Sequence, residues 1–185
     1  MYAAKFDDAA GRGRHNAGRI MTRERATGQE YFGTLLQTVA GQAFGAAGYH
    51  LRDAPLQRAG GKYRFVKALP AGFFGLIDFQ VLVYSDTMWS AGTPSRFKVQ
   101  LTRSRNSYGY GKADRGAVTR SLSQLVVEDF GVAILPAADH WWRFHDTESL
   151  GAALAEAGHL VVGYGMPWLA GELSPPTDNN AGDIA

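Results

Sequence analysis

The sequence predicts an α+β fold: two layers, with a four- to five-stranded antiparallel sheet and an N-terminal and a C-terminal helix packed on one face. Two observations carry this. From Phe73 to Arg103 the chain reads as an antiparallel hairpin: Phe73, Ile77, Phe79, Val81 and Val83 share one parity, and Arg96 to Thr102 alternates without a fault. Strand side chains point to opposite faces in turn, so the sheet has one dry and one wet face, and a half-wet sheet is normally antiparallel. Two helical stripes flank the hairpin, one near each end of the chain.

Taken in order, residues 1–26 form a basic extension outside the core, with Lys5, Arg12, Arg14, Arg19, Arg23 and Arg25 against Asp7, Asp8 and Glu24. They read either as an arm for phosphate or an acidic partner, or as an upstream extension with Met21 as the natural start. The lack of any sustained period favours the second. Residues 27–170 make one α+β domain and 171–185 a polar tail. Thr27 to Glu30 has capping-box spacing. Phe32, Leu35, Leu36, Val39, Ala43 and Phe44 then recur at three and four, with Gly48 as the stop. Gly33, Gly41 and Gly45 cost about 1 kcal/mol each relative to Ala, but let this helix lie close to a sheet.

Tyr49–Pro55 is a connection, Gly60-Gly61 a turn, and Lys62–Lys67 a strand with Tyr63 and Phe65 inward and Arg64 outward. Pro70-Ala71-Gly72 turns the chain into the hairpin. Residues 85–95 and 104–113 are loops. Val118–Val127 fits a helix or a strand, and periodicity cannot arbitrate. Val132–Pro136 is a short apolar run, and Trp141–Phe144 an extended segment. Asp146 or Thr147 caps the last helix. Leu150, Ala153, Leu154, Ala157, Leu160, Val161 and Tyr164 form its stripe, with Gly165 and Pro167 as its stop.

The Trp141-Trp142 pair, the acidic cap at Asp146, the helix after it and Gly165-Met166-Pro167-Trp168-Leu169 together resemble the bacterial domain of unknown function family 4304. Gly48–Arg52, Tyr63-Arg64-Phe65, Ile77–Gln80 and Arg96–Val99 fit the same pattern, so the likeness spans about Gly28 to Leu169. The resemblance implies an α+β fold with an antiparallel sheet, and a strand at Val118–Val127. It implies no activity.

Composition narrows function by exclusion. There is no cysteine, so disulfides, thiol catalysis and Cys-ligated zinc are ruled out. No apolar run of 18 residues exists and the first 25 residues lack an apolar signal core, so the expected location is the cytoplasm. A net charge of +2 from 19 basic and 17 acidic residues is small for a dedicated nucleic-acid binder. No nucleophile elbow or P-loop occurs. His140 and His145 differ in parity, and adjacent His145 and Asp146 diverge in an extended segment, so a His/Asp site near Trp142 is an enzyme alternative with little to support it. Asp78 reads as solvated or paired with a cross-strand Lys or Arg.

Two loops have binding composition. Met88-Trp89 lies in a hairpin loop that ought to be polar, and Trp and Met favour interface centres. The 104–113 loop combines Tyr108 and Tyr110 with Ser, Gly, Asn and Arg, like an antibody binding loop. With Arg96, Lys98, Arg103 and Arg105 beside the wet face, these residues point to a non-enzymatic cytosolic protein-interaction module of the immunity, antitoxin or accessory type, with a protein partner and no cofactor or metal. Nucleic-acid binding by the basic and tyrosine residues is the alternative.

Overall fold

The computed structural model describes residues 28–83, 93–109 and 116–176. The fold is the α+β arrangement read from the sequence. An antiparallel sheet runs β1 (His50–Leu51), β2 (Lys62–Leu69), β3 (Phe73–Leu82), β4 (Ser95–Ser104), β5 (Val118–Ser121) in chain order. A sixth strand, β6 (Trp142–Phe144), shares the outer edge of β4: β5 pairs with its C-terminal half and β6 with its first residues. The long registers are Arg64↔Asp78 between β2 and β3 and Asp78↔Gln100 between β3 and β4. Expected as four or five strands, the sheet is thus five plus one.

Helix α1 (28–39) continues almost without a break into α2 (Gly41–Ala46), since the Phe44 amide still donates to the Ala40 carbonyl at 3.0 Å. Its buried stripe is Phe32, Leu36, Ala40 and Phe44, a strict spacing of four. Val39 and Ala43 of the expected stripe are exposed, because the stripe follows one row of the helix surface rather than alternating rows. The end is a Schellman motif. The Tyr49 amide donates to the Phe44 carbonyl and the Gly48 amide to Gly45, with Gly48 at φ 83°. Phe32 meets Tyr63 and Phe97 at centroid distances of 5.4 and 5.3 Å, and Phe44 meets Phe65 at 4.9 Å. Each fully buried Phe contributes about 1.5–3 kcal/mol through the hydrophobic effect.

The expected connection after Tyr49 holds β1 and a short helix, α3 (Pro55–Ala59), started by proline at its first position. The turn at Pro70–Gly72 is as read, with Ala71 left-handed at φ 58°. The ambiguous segment is both things in succession. It is strand through Ser121, then α4 (Leu122–Gln124), capped by a Ser121–Gln124 capping box, then a wider turn over Leu125–Asp129. The capping box ends the ladder, since Ser121 must turn its hydroxyl to the Gln124 amide.

The C-terminal helix α5 (Thr147–Leu160) is capped by Asp146 and buries Leu150, Ala153, Leu154, Ala157 and Leu160. It does not stop at Gly165. A π turn over Val161–Gly165 leads into α6 (Met166–Ala170), where Pro167 sits at the start and costs no internal hydrogen bond. The true stop is a second Schellman motif. The Glu172 amide donates to the Pro167 carbonyl and the Gly171 amide to Trp168, with Gly171 at φ 80°. The two helical segments touch: a Cβ on Gly158 would lie 3.8 Å from that of Ala40. No helix among the described residues is long and apolar enough to cross a membrane.

Close helix–sheet approach depends on Gly33. A Cβ there would meet the Tyr63 ring at 2.5 Å, whereas a Cβ on Gly151 meets nothing within 4 Å. In urea denaturation, Gly33→Ala is expected to cost about 1–3 kcal/mol by overpacking. Gly151→Ala is expected to stabilise by roughly 0.5–1 kcal/mol through helix propensity.

Candidate functional site

The sheet face turned away from the helices carries the chemistry. Its middle is not wet. Arg64 and Asp78 stand directly opposite each other, and both are about 5% exposed. Arg64 Nε and Nη2 each donate to one carboxylate oxygen at 2.6 Å, a bidentate pair, and Lys62 Nζ lies 3.6 Å from the same carboxylate. Asp78 is therefore paired with a cross-strand Arg, as one reading of the sequence had it, but inside the protein.

The loop after β4 makes this burial possible. The Arg64 Nη1 group donates to the Tyr108 carbonyl, and Arg52 stacks on the Tyr108 ring at 4.4 Å while donating to the Ser107 hydroxyl at 3.2 Å. The Asn106 side chain accepts from the Tyr108 amide and its carbonyl from Gly109, so the loop is folded on itself. Gly109 is left-handed at φ 67°, and a Cβ there would lie 2.5 Å from Leu76 Cδ1. The residues read as a binding loop thus act first as a lid on a buried ion pair. Tyr108, 54% exposed, still presents one surface to solvent.

Beyond the lid, the same face carries a cationic strip centred on Trp141. Arg96 and Lys98 lie over the indole ring at 4.7 and 5.1 Å, and Arg143 pairs across from Arg96. Lys98 and Arg143 are exposed and form no ion pair among the described residues. Trp142, one residue on, points the other way, stacks on Phe97 at 5.5 Å and donates its indole N–H to Glu156 at 3.0 Å.

Of the sequence-predicted residues, Arg96, Lys98 and Tyr108 share this face. Arg103 does not. It has the parity of Leu101, and with Arg105 it stacks on Phe73 at the helix side of the sheet end, at 4.6 and 4.5 Å. Met88, Trp89 and Tyr110 lie outside the described residues. Trp141 and Arg143 were read only as an extended segment; their parity against Phe97 becomes visible once β6 pairs with β4.

The alternative site near Trp142 looks different from its sequence reading. His145 and Asp146 do meet, at 3.2 Å, because the chain bends there into the helix cap. Asp146 is occupied as that cap, accepting from the Ser149 amide and hydroxyl at 2.7 and 2.6 Å, which holds its carboxyl below the ordinary 3.8. His140 packs edge-on against Trp142 at 4.9 Å, and burial pushes its imidazole below the ordinary range. No group of three or more His, Cys, Asp or Glu among the described residues could hold a metal ion.

Sequence reading also missed a cleft of about 480 Å³ between α1 and α3, lined by Gln29, Glu30, Gly33, Thr34, Arg58 and Tyr63 among others. Two of its polar side chains are engaged within the fold: Tyr63 donates its phenol to the Gln29 carbonyl, and Arg58 pairs with Asp53. Burial pushes the Tyr63 phenol above its ordinary value, so it stays a neutral donor.

Compared with known proteins, the chain matches no family model, and no curated protein or solved structure matches it significantly.

Asp78→Ala is expected to cost about 3–5 kcal/mol in urea unfolding, because Arg64 would be left buried and unpaired. Replacing both partners, Arg64→Met with Asp78→Leu, is expected to cost much less. Asp146 gives a pH signature. Its folded pKa is lowered, so its contribution is full above pH 3.8 and is lost as pH falls through the folded value. Thermal melts of the wild type and Asp146→Ala are expected to differ near neutral pH and to converge in strong acid.

Proposed function

We propose that this protein is a non-enzymatic interaction module whose partner is a protein with an acidic surface, bound through the strip of Arg96, Lys98, Trp141 and Arg143. The observation that supports it most is the mismatch of charge. Several other basic groups of the sheet have acidic partners: Arg64 and Lys62 have Asp78, and Arg120 has Asp129 at 3.0 Å. Lys98 and Arg143 have none among the described residues, and they flank an indole whose large apolar surface suits an interface centre. Complementary carboxylates would add steering and register. Tyr108 extends the same face, in keeping with a contact larger than the strip.

Single-stranded nucleic acid is the second reading, favoured by cations beside an aromatic ring. Against it, the Trp141 ring already carries Arg96 and Lys98, which leaves less free ring surface for a base. An immunity, antitoxin or accessory role is the setting in which a small module of this kind would act.

The test is an affinity capture from the native host with wild type and with Lys98→Glu/Arg143→Glu, each at low and high salt. The expected result is one protein of acidic surface, recovered in stoichiometric amount by the wild type and lost in the reversed-charge variant, whose melting temperature stays near that of the wild type. Recovery of nucleic acid that disappears at high salt would transfer the strip to the second reading. Equal recovery of the protein by both chains would overturn the strip as its site.

A further inference from the structure

The described cations without a counter-charge include a second group, away from the outer face. Arg103 and Arg105 both place their guanidinium groups over Phe73, with central carbons 4.6 and 4.5 Å from the ring centroid. A ring attracts a guanidinium without neutralising its charge, and each arginine carries five donors in a planar fork. Neither arginine makes an ion pair or a hydrogen bond among the described residues, and Arg103 Nε is buried with no partner. Two like charges gathered on one ring repel each other, and the ring's attraction for each is only about 0.5–2 kcal/mol.

The surroundings are built for this crowding. Arg103 reaches the end of α6, where a Cβ on Gly171 would lie 2.8 Å from Nη1. The left-handed conformation at Gly171 and the closeness of the guanidinium both require glycine there. The neighbouring carboxylate, Glu172, forms no ion pair with either arginine among the described residues; it acts on Tyr49, whose phenol is pushed up to about 12 by burial and by this charge. Arg120, two residues along the same side of the neighbouring strand, is neutralised by Asp129. A pair of unmatched guanidinium groups therefore stands next to a matched one.

From this we infer that Arg103, Arg105 and Phe73 form an oxyanion site that takes a phosphate group. A carboxylate presents two oxygens, which one guanidinium occupies in a bidentate pair. A phosphate carries up to two charges and has a third oxygen, so it can accept from both arginines at once. This site is separate from the Trp141 strip and does not rest on the reading given to that strip.

Inorganic phosphate is the probe, titrated into the full chain at ionic strength held constant with chloride. The expected result is saturable one-to-one binding that shifts the Nε–H resonance of Arg103 in NMR spectra. Arg105→Ala, at an exposed position that leaves the fold intact, is expected to weaken it about tenfold. Arg58→Ala removes the same charge elsewhere and is expected to leave the affinity unchanged. Absence of saturable binding would overturn the site, as would equal weakening by Arg58→Ala. Acetate binding as tightly as phosphate would overturn the assignment to a phosphate group.

Discussion

The Arg64–Asp78 pair constrains more of this molecule than any apolar contact does. Two opposite charges, each about 5% exposed, sit at the middle of a sheet face. Removing them from water is costly, and only close geometry and full hydrogen bonding offset it. The register between β2 and β3 supplies the geometry by setting the two residues across from each other. The hydrogen bonding is completed from a distance of 44 residues, by the Tyr108 carbonyl. The loop after β4 is thereby tied to the sheet: if it lifts, Arg64 loses an acceptor and the pair meets water. Gly109 follows from the same demand, since only a residue without a side chain fits over Leu76.

This coupling explains what was and was not legible in the sequence. The sheet's inner face was, because Phe79, Val81, Phe97, Val99 and Leu101 alternate strictly with polar residues. The two helices were, because their stripes are long. Helix ends were half legible. Gly48 stops the first helix as read, whereas Gly165 does not stop the last. Gly165 is instead a point of close approach, 3.1 Å from Leu101 for a hypothetical Cβ, and Gly171 does the stopping. A glycine needed for a left-handed cap and one needed for proximity look the same in a sequence. The Val118–Val127 segment defeated periodicity for a simpler reason: it changes conformation at Ser121, so neither period runs long enough to win.

The outer face was the least legible part. Alternation marks which residues leave the core, and it says nothing about what covers them afterwards. The sequence leaves Asp78 either solvated or paired across the strands and gives Tyr108 to a binding loop; their joint burial of one ion pair is invisible there because the contact between their elements is non-local. Arg103 was placed beside Arg96 and Lys98 because all are basic and close in sequence, yet odd and even positions of β4 face opposite ways. Trp141 gained meaning only from β6 lying against β4, a pairing of segments about 45 residues apart that no local pattern announces.

Charge balance then separates structure from readiness to bind. Three basic side chains on this sheet are answered by carboxylates: Asp78 for Arg64 and Lys62, Asp129 for Arg120. Lys98 on one side, and Arg103 and Arg105 on the other, are held by rings instead of by counter-charges, and Arg143 is placed by the β6 pairing. A ring fixes a guanidinium or ammonium group without neutralising it, so the donors stay ordered and the charge stays available. Ordering before binding lowers the entropy that association must overcome. The aromatic residues at Phe73 and Trp141 therefore do for these cations what Asp78 does for Arg64, with the difference that the field remains open to an incoming anion.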